Sequence, residues 1–251
     1  MSKLLVENKE VVVPGEVLAE GMEFLPSNGT YRLGDSILSN RLGLLHVDGK
    51  VLKSIPLSGT YLPKVNDVVV GKVIDILMSG WKISFNSPYH AVLGLKEASY
   101  DFIDNKADIT KYFALDDHLI GKIIKVTSQN LVDITMKGPG LRKLRGGRII
   151  KVNAQKVPRI IGKRGSMVSM IKNATNCKIT VGQNGLVWVS GEPEQESLVI
   201  NTINLIQERS HVSGLTDEIK KFLEKETGTK ISLDLDENKS FEKKRFENKK
   251  E

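Results

Sequence analysis

The chain has 251 residues, with 37 Lys plus Arg against 30 Asp plus Glu, a formal charge of +7 and a pI near 9.3. This length has room for two or three small domains, and the basic excess favours polyanionic partners over acidic or neutral ones. The absence of a long apolar run argues against a membrane-spanning helix, the single cysteine, Cys177, excludes an internal disulfide framework, and a cytoplasmic address is the expectation.

Residues 1–62 read as a β domain. A strand at 11–18 is interrupted by the Pro14-Gly15 turn, residues 29–40 supply turns and a strand, and 41–46 and 51–55 supply two more. Few charges and many β-branched residues imply a compact unit whose sheet edges need a partner, so it reads as a docking module.

Residues 63–145 read as a barrel. The sequence predicts strands at 68–77, 81–85, 90–95, 119–126 and 131–137, with a turn at Ser79-Gly80, a short helix near Glu97 to Ser99 and a polar excursion over roughly 100–114. Five short β segments with one excursion suit a closed antiparallel barrel of the OB type. Cations that can track a phosphate backbone are Lys82, Lys122, Lys125, Arg142, Lys143, Arg145 and Arg148; the last four crowd the joint after the barrel, beside Gly138-Pro139-Gly140 and Gly146-Gly147. The carboxylates Asp101, Asp104, Asp108, Asp116 and Asp117 are the only candidates for metal-assisted hydrolysis, and they read as a solvated acidic loop. His46, His90, His118 and His211 lack metal-ligand spacing, so neither a metal nor a cofactor is expected.

Residues 146–233 carry the most informative stretch. A strand at 148–152 and a short helix at 155–161, with Pro158 tolerated in its first turn, lead into Gly162-Lys163-Arg164-Gly165. A second helix begins at Ser166, with Met167, Met170 and Ile171 on one face; strands follow at 177–181 and 186–191 across a Gln183-Asn184-Gly185 turn; Pro193 then opens a long helix. Thr216 is expected to cap a last helix over 217–225 that packs on this domain and ends at Gly228. Residues 234–251 read as a charged, disordered tail that nearly balances its own charge. Between two helices, the paired glycines let backbone approach a ribose-phosphate chain and the Lys-Arg pair supplies charge there, aided by the free N–H groups of the next helix.

The order strand, helix, GXXG, helix, strand, strand, helix resembles a type I KH domain over 147–209, whose loop clamps single-stranded nucleic acid. The middle segment resembles an S1 RNA-binding domain. Of the stacking positions usual in S1 domains, only Trp81 is clearly filled; Lys96 or Glu97 takes the expected histidine position, and Tyr89 and His90 sit at the strand entry. The fold class is therefore multidomain and mainly β with an α+β end: N-terminal β domain, five-stranded S1 barrel, type I KH domain.

Taken together, the three parts resemble the S1/KH RNA-binding cap subunits of the archaeal RNA exosome. That resemblance implies a non-catalytic subunit that binds single-stranded RNA, with three copies seated on a hexameric ring of RNase PH-like subunits, open to mixing with another S1-type cap subunit. It implies that the cap guides the 3′ end, with a leaning to A-rich tails, toward phosphorolysis by the ring. RNA contacts are expected from Ile161, Gly162, Lys163, Arg164, Gly165 and Ser166 in the KH domain. On the barrel and joint they are expected from Trp81, Lys82, Tyr89, His90, Lys122, Arg142, Lys143, Arg145 and Arg148. Gly162→Asp and Lys163→Glu are both expected to lower RNA affinity with the fold intact. A free-standing S1/KH factor associated with ribosomes or translation is the alternative, because fold alone does not separate the two.

Overall fold

The structure is a computed structural model that describes residues 2–101, 103, 108–210, 212 and 214–228; the expected tail at 234–251 lies outside them, as do His211 and Asp104. The chain divides into two compact units, one formed by Met1–Thr60 with Asn153–Gln155 and the other by Tyr61–Val152 with Lys156–Glu251.

The first unit contains β1 (Lys3–Leu4), β2 (Val11–Val12), β3 (Val17–Glu20), β4 (Leu25–Pro26), β5 (Thr30–Leu33), β6 (Ser36–Ser39), β7 (Gly43–Asp48) and β8 (Val51–Pro56). They form two four-stranded sheets, ordered β1-β3-β6-β5 and β2-β7-β8-β4. Alternation along β6, β7 and β8 sends Ile37, Leu45 and Leu52 inward to join Val12, Leu18 and Ala19 in the core. The opposite parity leaves Val11, Val13, Leu25, Leu33 and Ile55 exposed.

The second unit begins with the barrel: β9 (Val68–Leu77), β10 (Gly80–Ser84), β11 (His90–Gly94), α1 (Leu95–Ala98), β12 (His118–Val126) and β13 (Val132–Thr135). The sheet runs β13-β11-β10-β9-β12 and closes where β12 meets β13. All the pairings of this ring are antiparallel except β11 with β13, which is parallel. Register shifts at Lys82/Ile83 and between Ile123 and Lys125 mark bulges, which bend strands as closure requires. Trp81, Ile83, Phe85, Leu93, Leu119, Ile123 and Ile134 fill the interior.

After the barrel, β14 (Lys143–Leu144) pairs with the start of β12 and leads to the KH half. Here β15 (Arg148–Lys151), β16 (Lys178–Val181) and β17 (Leu186–Ser190) form an antiparallel sheet ordered β15-β17-β16. Its helices are α2 (Val157–Ile161), α3 (Ser166–Thr175), α4 (Pro193–Glu208) and α5 (Leu215–Thr227). Ile160, Met170, Val187, Ile203 and Ile219 belong to one core, so α5 packs on the domain. That helix starts earlier than Thr216 predicts. Gly214, at φ 76°, turns the chain and takes the N-cap position, which places Thr216 inside the first turn with Asp217 and Glu218.

Barrel and KH half share more than a covalent joint. The side chain of Asn184, fully buried, donates to the carbonyls of Val70 (2.7 Å) and Phe85 (2.6 Å) and accepts from Val70 N–H (3.2 Å). Gln183 N–H donates to Val68 C=O at 2.8 Å, and Asn86 Nδ2 to Asn184 C=O at 2.8 Å. Beside these bonds, Val70, Ile120, Leu144 and Trp188 form a buried apolar cluster. The Gln183-Asn184-Gly185 turn is thus a plug against the barrel wall as well as a hairpin.

Candidate nucleic-acid interface

Local backbone chemistry builds the glycine loop. Gly162 N–H donates to Pro158 C=O at 3.0 Å, closing α2, and Gly162 then takes φ 77°, ψ 174°, a region only glycine occupies cheaply. Arg164 (φ 55°) and Gly165 (φ 80°) are left-handed in turn, and Ser166 (φ −57°) returns to helical geometry at the head of α3. Lys163 and Arg164 are exposed, and among the described residues neither forms an ion pair. Arg159, one turn back, has a structural task instead: its guanidinium donates to the carbonyls of Ser210 (3.0 Å) and Val212 (2.9 Å). Ile161, Gly165 and Ser166 are half-buried at the root of the loop.

This geometry corrects one expectation about the loop. A Cβ on Gly162 would lie 2.7 Å from Met167 Cβ and 2.8 Å from its backbone nitrogen, so Gly162→Asp cannot leave the fold undisturbed. Gly165 meets nothing within 4 Å. The exposed Lys163 remains a site at which charge can change without touching the core.

Trp81 is the second correction. It is fully buried, donates from Nε1 to Phe113 C=O at 3.1 Å, and meets the Phe113 ring edge-on at 5.1 Å. Trp81 shares strand parity with Ile83 and Phe85, and the polar excursion brings Phe113 back to cover it. It is a core residue, with no face open to a base. On the opposite parity of β10, Lys82 is partly buried and pairs in register with Asp75 near the end of β9, whereas Lys122 pairs with Val68 at its start, so the two lysines stand at opposite ends of that strand. Tyr89 is partly buried and His90 exposed at the entry of β11.

The joint cations divide by their partners. Lys143 forms an ion pair with Asp117, donates to Tyr112 C=O at 3.4 Å and lies over the Phe113 ring at 5.6 Å. Burial pushes the Asp117 carboxyl up, but the hydrogen bond from Lys143, the Ala114 N–H and the nearby positive charge outweigh it and hold its pKa below the usual carboxylate value. Arg148 pairs with the buried Glu196 at 3.2 Å, and Glu196 also accepts from Gly191 N–H at 3.0 Å. Both cations are engaged in holding the fold. Arg145 and Arg142 are exposed, and the Arg142 guanidinium sits over the Trp188 ring at 5.8 Å.

Sequence reasoning missed Lys172 and Asn184. Lys172 shares a flank of α3 with Val168 and Ser169, a spacing of one helical turn that was open to inspection; nothing local distinguishes Asn184 from any turn asparagine. Among the described residues, no group of three or more His, Cys, Asp or Glu is placed to hold a metal ion, and no helix is long and apolar enough to cross a membrane.

A closed S1-type barrel joined to a type I KH half, with an exposed basic glycine loop, defines a class of protein built from nucleic-acid-binding modules. Comparison with known proteins narrows this. The family model for the KH domain matches residues 147–208, and that for the RRP4 S1 domain matches residues 60–106. The exosome complex component Rrp4 of Methanothermobacter thermautotrophicus is 41% identical over 240 residues, covering 96% of this chain and 76% of its own. That of Thermococcus kodakarensis is 42% identical over 227 residues, covering 89% and 88%. A solved crystal structure of a candidate exosome complex RNA-binding protein superposes with a TM-score of 0.61 at 30% identity, covering 67% of this chain and 97% of that one. The chain belongs to the Rrp4 family of exosome complex components.

Proposed function

We propose that this chain is a non-catalytic RNA-binding subunit of a cytoplasmic exosome, three copies of which cap a hexameric ring of RNase PH-like subunits and guide single-stranded 3′ ends, A-rich tails preferred, into it. The working domain borders are 1–62 for docking, 63–145 for the S1 barrel and 146–233 for the KH domain. The observation that carries the reading is the pair Lys163-Arg164, exposed and without ion pairs among the described residues, on a backbone-fixed loop within the same compact unit as the barrel. Each phosphate met by such a cation releases counterions, so binding weakens as salt rises. Modest contacts on three copies around one channel add through effective concentration.

The test is reconstitution with an RNase PH-like ring and labelled RNAs with and without an A-rich tail. Adding the chain is expected to raise both RNA affinity and the rate of 3′ shortening, more for the tailed RNA. RNA shortening by the purified chain without the ring would overturn the non-catalytic role. Co-purification with ribosomal particles and no ring subunits would favour the free-standing factor.

A further inference from the structure

The groove beside the glycine loop has a wall that a KH domain alone does not supply. A cavity of about 620 Å³ runs between α3 and β16, with Gly165 at one end, and the barrel-to-KH linker contributes Gly140 and Arg142 to its lining. Three ionisable side chains other than the Cys177 thiol line it, Arg142, Lys172 and Lys178, and all three are cations. Two cations near the joint are matched by acids, Lys143 by Asp117 and Arg148 by Glu196, whereas Arg145 is exposed; in the groove, among the described residues, none of the three forms an ion pair. Val168 and Ile179 give the cavity an apolar floor.

The linker is held in this position from both sides. Ile120 N–H donates to Arg142 C=O at 2.9 Å, the β14 pairing to β12 follows, and the Arg142 guanidinium rests on the Trp188 ring. Lys172, reachable from solvent, is partly desolvated by its neighbours and lies in the field of Arg142; the two effects, in that order, lower its pKa. Like charges held close with no acid between them are a cost to the empty protein that a bound anion removes.

We propose that Arg142 and Lys172 together form a phosphodiester-binding subsite for single-stranded RNA, one that exists only because the barrel-to-KH linker lies along the KH groove. This rests on the RNA-binding reading and adds to it a residue, Lys172, and a division of labour. The glycine loop takes one phosphate, and a second is held by a cation from each of two structural elements.

The experiment is equilibrium binding of the full chain to a labelled single-stranded RNA across a salt series, comparing the unmodified chain with Lys172→Gln, Lys172→Arg and, as a reference at the glycine loop, Lys163→Glu. Lys172→Gln is expected to weaken binding three- to tenfold, on the order of one lost phosphate contact, and to flatten the slope of log affinity against log salt by roughly 0.7. Lys172→Arg is expected to restore both. Unchanged affinity and slope in Lys172→Gln, with Lys163→Glu impaired, would sink the subsite and leave the RNA-binding reading standing. An unmodified chain that binds no RNA overturns that reading and the subsite with it. Inorganic phosphate, added at constant ionic strength against chloride, separates the two sources of the anion. Phosphate that binds the unmodified chain but not Lys172→Gln, with RNA affinity the same in both, would assign the site to free phosphate and overturn the phosphodiester; phosphate that weakens RNA binding by the unmodified chain more than by Lys172→Gln shows competition for one site and supports it.

Discussion

Two tetrapeptides of the form Gly-X-X-Gly lie in the same KH half, Gly162-Lys163-Arg164-Gly165 and Gly182-Gln183-Asn184-Gly185. The first joins two helices and exposes both middle side chains; the second joins two strands, exposes Gln183 and buries Asn184 completely. In the first, the glycines serve a backbone that doubles back between α2 and α3, leaving two cations outside. In the second, Gly182 N–H donates to Leu186 C=O at 2.8 Å and closes a hairpin whose tip completes hydrogen bonding to the barrel. The same spacing therefore presents an exposed basic loop in one place and makes a domain joint in the other. The flanking elements set the backbone, and the two residues between the glycines set what it meets.

The hardest blow to this contrast is Asn184→Ala. It strands Val70 N–H and the Val70 and Phe85 carbonyls at the joint, and the expected loss is about 2 to 4 kcal/mol of stability. Denaturant unfolding followed by tryptophan fluorescence reads it, because Trp81 and Trp188 both belong to this unit. A loss below about 0.5 kcal/mol, within the range of ordinary surface substitutions, would reduce the turn to a surface hairpin resting on the barrel.

Gly162→Ala comes next, at about 2 to 3 kcal/mol, because a side chain is forced into a glycine-only conformation and against Met167. If it unfolds at the same denaturant concentration as the unmodified chain, the loop backbone is not what the structure describes. Lys163→Glu should leave unfolding unchanged and lower RNA affinity about tenfold, which is about 1.4 kcal/mol; the same variant bound as tightly as the original would take the loop out of the RNA path. The smallest effect is expected from Gly165→Ala, about 1 kcal/mol, since that residue is left-handed but surrounded by open space. A larger cost there than at Gly162 would invert the proposed roles of the two glycines.

Much of the fold was legible because it is written in local periodicity. Alternation at 68–77 and 81–85 places strands, the apolar spacing of Met167, Met170 and Ile171 places a helix, and glycines at 162 and 165 mark the turn between helices. Alternation also carried the correction to Trp81, which has the parity of Ile83 and Phe85; the stacking expectation came from resemblance to S1 domains, and that resemblance does not report which face a given aromatic takes in this barrel. The α5 start was misplaced by two residues, because Thr216 is a good cap by type while Gly214 is the cap by backbone geometry.

The candidate site was legible only in part. Lys163 and Arg164 stand out because both their loop and their exposure follow from neighbours in the chain. Lys143 and Arg148 carry the same charge, yet the structure pairs them with Asp117 and Glu196, residues distant in sequence. Asn184 reaches across 114 residues to Val70, and Arg142 shares a groove with Lys172 through a linker whose course depends on β14 pairing with β12. By itself the sequence determined the order of elements, the basic glycine loop and the family, since each rests on spacing and residue type along the chain. Tertiary structure decided which cations remain available, which face Trp81 takes against Phe113, and what the second glycine turn is for, because pairing and burial depend on groups that only folding brings together.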